Sequence, residues 1–157
     1  MRAGFSVARI CTLAALASAA GLVPAWGAER CTNFERFDDS HQLPEIYRQD
    51  GFRFDFGDQG ASVLEHTAIF WAHQKASVKT PFAGKEVSLE IVARTAEQIR
   101  VKAVNAEGKV VAVFNDMPPY PHPLTIALQA PAADIVKLKL TGGGNESGIA
   151  KDRKSVV

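Results

Sequence analysis

Among the residues of this chain, those best placed to do chemistry lie in the run NDMPPYPHP, residues 115–123. Its four prolines stiffen the backbone, which lowers the ordering entropy lost when something binds. Tyr120 and His122 offer flat faces for a sugar ring, and Asn115 and Asp116 offer hydrogen bonds to its hydroxyls. The competing reading is a rigid connector whose tyrosine packs on the edge of a sheet, because proline-rich crossovers commonly do no more than end strands.

Other reactive types are present without a reactive setting. The four histidines, His41, His66, His73 and His122, form neither H-x-H nor H-E-x-x-H. In a regular strand His66 and His73 would point to opposite faces. Ser62 and Ser147 lack the constrained turn that exposes a nucleophilic serine. Carboxylates are plentiful, but glycoside hydrolysis needs two of them at a set separation across a cleft, and spacing in sequence does not supply one. No catalytic residue is assigned, and the chain reads as a non-enzyme, with a small secreted hydrolase as the outlying alternative.

The elements that must carry these residues begin after a leader. Residues 1–27 hold Arg2 and Arg9, the apolar run ICTLAALASAAGLV, and small residues at Ala25 and Gly27. That order is the pattern of a cleaved secretory signal, and the apolar run is shorter than the roughly 20 residues that span a bilayer. The chain from Ala28 is expected to be exported, to the periplasm or beyond, with no membrane insertion after cleavage. It has about 130 residues, the size of one domain. Without Arg2 and Arg9 its 16 basic residues meet 17 acidic ones, so nothing in its charge favours nucleic acid as a partner. Cys11 leaves with the leader, and Cys31 is then expected to stand without its disulfide partner.

Period-two runs dominate residues 28–151. Phe52, Phe54 and Phe56 alternate with Arg53 and Asp55; Val87, Leu89, Ile91 and Ala93 alternate with Ser88, Glu90 and Arg94; Ile99, Val101 and Ala103 alternate with Arg100 and Lys102. Such alternation marks antiparallel strands with one buried and one wet face. Gly108 should close a hairpin between Val104 and Lys109. Later runs are expected to bury Leu124, Ile126 and Leu128, then Val136, Leu138 and Leu140, with Lys137 and Lys139 facing water. Ala68 to Trp71 are apolar on both faces, as in a central strand, which favours a core role for Trp71. The run HQLPEIYRQ reads as a helical turn around Pro44. About eight strands without alternating helices predict an all-β antiparallel sandwich, one domain at residues 28–151.

The order of features, from CTNFERF through LPEIYRQDGFRFDF and VKAVNAEGKVVA to LTIALQAP and DIVKLKLTGGGNESGIAK, resembles bacterial exported jelly-roll domains of the galactose-binding-like type. The resemblance implies a first strand paired with the last, end loops that bind saccharides, and a structural calcium near the strand junction. Carried onto this sequence, the calcium ligands would be Asp38, Asp39 and Glu146. The plainer reading of Asp38 and Asp39 is a turn whose side chains satisfy backbone donors.

At the C-terminus, GGGNES leads into GIAK, the start of a closing strand, whereas residues 152–157, DRKSVV, continue no pattern. Those six residues resemble a translated sequencing-library adapter, so they are read as a non-native or disordered tail and carry no site. The intact gene is expected to run on past Lys151 with further apolar residues and a cysteine able to reach Cys31. The functional expectation is an exported, non-catalytic binding module for a glycan or other envelope component. The alternative is a structural or assembly protein of the envelope with no small-molecule ligand.

Overall fold

In a computed structural model of the chain, the described residues are 4–13, 29–71, 76–93, 98–117, 123–132 and 134–142. Every regular element among them is a strand: β1 (Gly4–Leu13), β2 (Glu29–Asn33), β3 (Gln42–Leu43), β4 (Ile46–Gln49), β5 (Phe52–Asp55), β6 (Ala61–Leu64), β7 (Thr67–Trp71), β8 (Ala76–Gly84), β9 (Glu86–Ala93), β10 (Ile99–Val104), β11 (Val110–Asp116), β12 (Pro123–Gln129) and β13 (Ile135–Gly142). They form two antiparallel sheets packed as a sandwich. One sheet has seven strands in the order β12-β9-β1-β7-β6-β3, with β2 also paired to β1; the other has six in the order β11-β10-β13-β8-β5-β4.

The alternating runs bury the faces their period demands. Phe52, Phe54 and Phe56 of the β5 region, Val87, Leu89 and Ile91 of β9, and Ile99, Val101 and Ala103 of β10 are all within 2% of full burial. With Phe34, Ile126, Leu128, Leu138 and Leu140 they form one continuous core between the sheets. The turns follow residue chemistry. Gly108 takes φ +81° in the β10–β11 loop, where its N–H donates to the Asn105 carbonyl at 3.0 Å and the Asn105 side chain receives the Lys109 N–H at 2.9 Å. Glu65 and His66 both take positive φ in the two-residue turn from β6 to β7, the conformation that matches strand twist.

Four expectations change. The thirteen strands exceed the eight read from alternation, because several are only two to five residues long. No helical turn forms around Pro44: β3 and β4 flank it, and Tyr47 pairs with Phe54 instead. In β13 it is Ile135 that is fully buried and Val136 that is half-buried, with Lys137 half-buried too, because the pairing with β8 shifts register between Ile135 and Lys137.

The largest change is at the N-terminus. Gly4–Leu13, read as part of a leader, is a strand inside the larger sheet, paired with β9 from Phe5 to Leu13 across a register shift between Val7 and Arg9, and with β7 and β2 on its other side. Its Val7 and Ile10 are buried in the core. The physical reason is that Val, Ile and Thr suit a pleated, covered strand as well as they suit an apolar leader. Cys11 therefore lies opposite Cys31 and the two are disulfide-bonded, so Cys31 has the partner that the sequence reading removed. The closing strand read into residues 143–151, and the tail at 152–157, lie outside the described residues.

Candidate functional site

After β2 the chain is anchored by Phe34, fully buried, and then loops to β3. The Phe37 N–H donates to the Phe34 carbonyl at 3.1 Å and the His41 N–H to the Asp38 carbonyl at 3.2 Å, so the loop is two successive turns. Two further backbone bonds, Ser40 N–H to Val63 carbonyl and Val63 N–H to His41 carbonyl, both 2.8 Å, fasten it to β6. Its shape is thus fixed by backbone bonding within the loop and to β6.

On this loop and the adjoining β4 lies a cluster of rings and planar polar groups. His41, exposed, stacks on Phe37 with centroids 4.5 Å apart and planes 22° apart. Phe37 meets Tyr47 edge to face at 5.8 Å. Tyr47 leads inward to Phe54 at 6.1 Å, and Phe54 to Phe34 at 5.4 Å, so the surface rings are braced by core rings. The exposed Arg36 guanidinium sits 4.8 Å from the Phe37 centroid and 5.9 Å from that of Tyr47, and donates to the Tyr47 hydroxyl. That hydroxyl donates to Gln49 Oε1 at 2.6 Å, and Gln49 Nε2 donates to the Asn33 carbonyl at 2.8 Å. The result is a half-exposed aromatic surface bordered by a guanidinium, a phenol, a carboxamide and an imidazole, the mixture of flat apolar faces and fixed donors and acceptors that small polar ligands require.

The residues singled out from sequence are placed differently. Asn115 and Asp116 are exposed at the end of β11, and Asp116 Oδ1 receives the Met117 N–H at 2.7 Å. Tyr120 and His122 lie outside the described residues, so the structure does not assemble that loop into a site. Asp38 and Asp39 are exposed on the β2–β3 loop, where Asp39 Oδ1 receives the Glu65 N–H at 2.7 Å, as the plainer turn reading has it. Glu146 lies outside the described residues. Among the described residues the one group of metal-ligating side chains is Cys11, Glu29 and Cys31, and its two sulfurs are bonded to each other. Trp71, as a side chain, and His73 also lie outside what is described.

Arg36, Phe37, Tyr47 and Gln49 were missed. Two signals pointed to them. Arg36 stands between Phe34 and Phe37 in a turn, and Tyr47 and Gln49 are two apart, hence on one face of a strand. Reading residues 41–49 as a helical turn hid that second signal. Comparison with protein-family models, curated proteins and solved structures finds no match to this chain.

Proposed function

We propose that this protein is an exported, non-catalytic binding module that takes a glycan or similar polyhydroxylated envelope component on the Arg36–Phe37–His41–Tyr47 surface. The observation that carries this reading is the ring cluster itself: His41 stacked on Phe37, with Tyr47 and Arg36 linked by a hydrogen bond beside it. Sugar rings present C–H faces to aromatic surfaces and hydroxyls to planar donors and acceptors, and here both are held by the fold before any ligand arrives. The N-terminal signal pattern is the ground for export; the Cys11–Cys31 disulfide, whose Cys11 lies within residues 1–27, fits an oxidising compartment for the unprocessed chain only. The loop carrying Tyr120 and His122 is kept as a second contact region in this reading, and calcium at Asp38, Asp39 and Glu146 as an optional structural ion.

The test is a polysaccharide panel screened by pull-down and titration calorimetry with the wild type, Arg36→Ala, Tyr47→Ala and Tyr120→Ala. Loss of Arg36 or Tyr47 should weaken saccharide binding about tenfold or more, near 1.4 kcal/mol. Binding that is equal in wild type and the Arg36 and Tyr47 variants removes the site. No saccharide bound by any form favours the alternative, an envelope assembly protein. One observation supports that alternative: β11 is an edge strand whose Val110 and Val113 are 40% and 49% exposed, a surface suited to strand addition.

A further inference from the structure

We propose that the outer face of the smaller sheet carries a linear track for an acidic polysaccharide, a polymer with carboxylates repeated along its sugars, laid across the strands on a stripe of cations. The stripe lies on the opposite face of β4 from Tyr47, and none of it belongs to residues 1–27. The choice of a sugar polymer rests on the glycan reading above; the choice of an anionic one rests on the stripe alone.

The alternation that buries Phe54, Val78, Leu138 and Ala103 turns their neighbours outward, and the strand register sets those neighbours against one another. Arg48 of β4 lies opposite Arg53 of β5, Arg53 opposite Lys79 of β8, and Lys79 opposite Lys137 of β13. Two residues further along β13, Lys139 lies opposite Lys102 of β10. Four cross-strand pairs thus set cation against cation, an arrangement that destabilises a sheet. Composition does not force it, since 18 basic and 17 acidic residues nearly balance over the chain. The larger sheet shows the ordinary solution on its outer face, where Arg9 lies opposite Glu90. Among the described strand residues of the smaller sheet's outer face, the one carboxylate is Asp55. It sits beside the stripe, opposite Ser77, and its Oδ1 receives the Gly57 N–H at 3.2 Å. None of the six cations has a hydrogen-bond or ion-pair partner among the described residues. A polyanion relieves both the mutual repulsion and the lack of counter-charge.

The shape of the stripe selects the occupant. Its first four cations stand in one line across adjacent strands, and Lys139 and Lys102 continue that line one pleat along, with Arg100 a further pleat along β10. Neighbouring strands are about 4.8 Å apart, so the five strands from β4 to β10 give a line about 20 Å long. The line is narrow: Asp55 and Ser77 flank it on one side and the apolar Val104, opposite Lys137, on the other. Such a line suits a linear polymer, whereas a planar anionic membrane would press its charge against Asp55 as well. No aromatic residue stands between the cations, so the bases of single-stranded nucleic acid find no ring to stack on. The sheet also holds the cations at fixed spacing before any polymer arrives, which lowers the ordering cost of binding.

The experiment titrates polygalacturonate into the full-length chain at low and at physiological salt. Dextran serves as the uncharged polymer, phosphatidylglycerol vesicles as an anionic surface, and single-stranded DNA as another linear polyanion. The wild type should bind polygalacturonate, more weakly as salt rises because exposed charges are screened. Lys79→Gln combined with Lys137→Gln should weaken that binding about tenfold or more, while Lys85→Gln, an exposed cation off the stripe, should leave it unchanged. The urea midpoint of the double variant should equal or exceed that of the wild type, because like-charge pairs have been removed. A fall in that midpoint disqualifies the variant, and Lys102→Gln combined with Lys139→Gln takes its place. Equal binding of polygalacturonate by wild type and stripe variants overturns the proposal. If Tyr47→Ala loses the polymer instead, it sits on the ring cluster, and the glycan reading stands without the stripe. Binding of dextran but not polygalacturonate also overturns the stripe and spares that reading. Vesicles or DNA bound more tightly than polygalacturonate, and released by the same double variant, overturn the sugar polymer in favour of that polyanion.

Discussion

Arg36 illustrates how one side chain joins two kinds of interaction. Its guanidinium covers the Phe37 ring and donates to Tyr47, so replacing it removes both a cation–π contact and one link of the chain that runs through Gln49 to the Asn33 carbonyl. Lysine keeps the charge but not the planar fork, and Arg36→Lys should bind the same saccharide more weakly than wild type in the titration above. A second single-residue constraint is Gly60, at φ +65° in the turn before β6. A methyl group there would run into the Leu43 carbonyl oxygen, in a backbone region that side chains other than glycine rarely adopt. Gly60→Ala should destabilise the protein by about 1–3 kcal/mol, read by urea unfolding. An unchanged midpoint would show that the turn can relax around the methyl group.

At the scale of elements, β1 and the disulfide act together. Cys11 and Cys31, 20 residues apart, close a loop that ties β1 to β2. By restricting the unfolded chain, closing a loop of that size stabilises the fold by about 3 kcal/mol. Reduction of the full-length, unprocessed chain should therefore lower its unfolding free energy by about that amount, with the Cys31→Ser variant insensitive to reductant. If reductant leaves the full-length wild type unaffected, the pairing of β1 with β2 is not what holds that end of the sheet. The β2–β3 loop is the contrasting case. It is held by backbone bonds to β6 and by the buried Phe34, so it needs no covalent staple.

For the molecule as a whole, most of the pairing among the described residues is between segments distant in sequence, eight of the eleven strand pairs; only β4–β5, β6–β7 and β10–β11 are local hairpins. Ile10 lies opposite Leu89, and Leu138 opposite Val78, so the sandwich forms only after long loops have closed. Folding dominated by non-local strand pairing is slow, and refolding of the full-length chain should take roughly milliseconds to seconds in stopped-flow fluorescence. Microsecond refolding would mean that local hairpins, such as the one closed by Gly108, carry the transition state. The same topology brings the ends of β7, β9 and β13 to one end of the sandwich.

The amino-acid pattern by itself determined the fold class, the buried face of most strands and the hairpin at Gly108. These depend on local alternation and on turn residues with few alternative conformations, as Phe52, Phe54 and Phe56 show. Only the tertiary structure decided the rest. The bulge that exchanges Val136 for Ile135 arises from pairing with β8, and β1 finds its place only between partners far along the chain. The Arg36–Phe37–Tyr47 cluster depends on β4 folding against β5, which brings a turn residue and a strand residue together across eleven positions. Periodicity reports which face of a strand is covered; it does not report which strand covers it, and the proposed site lies at such a junction.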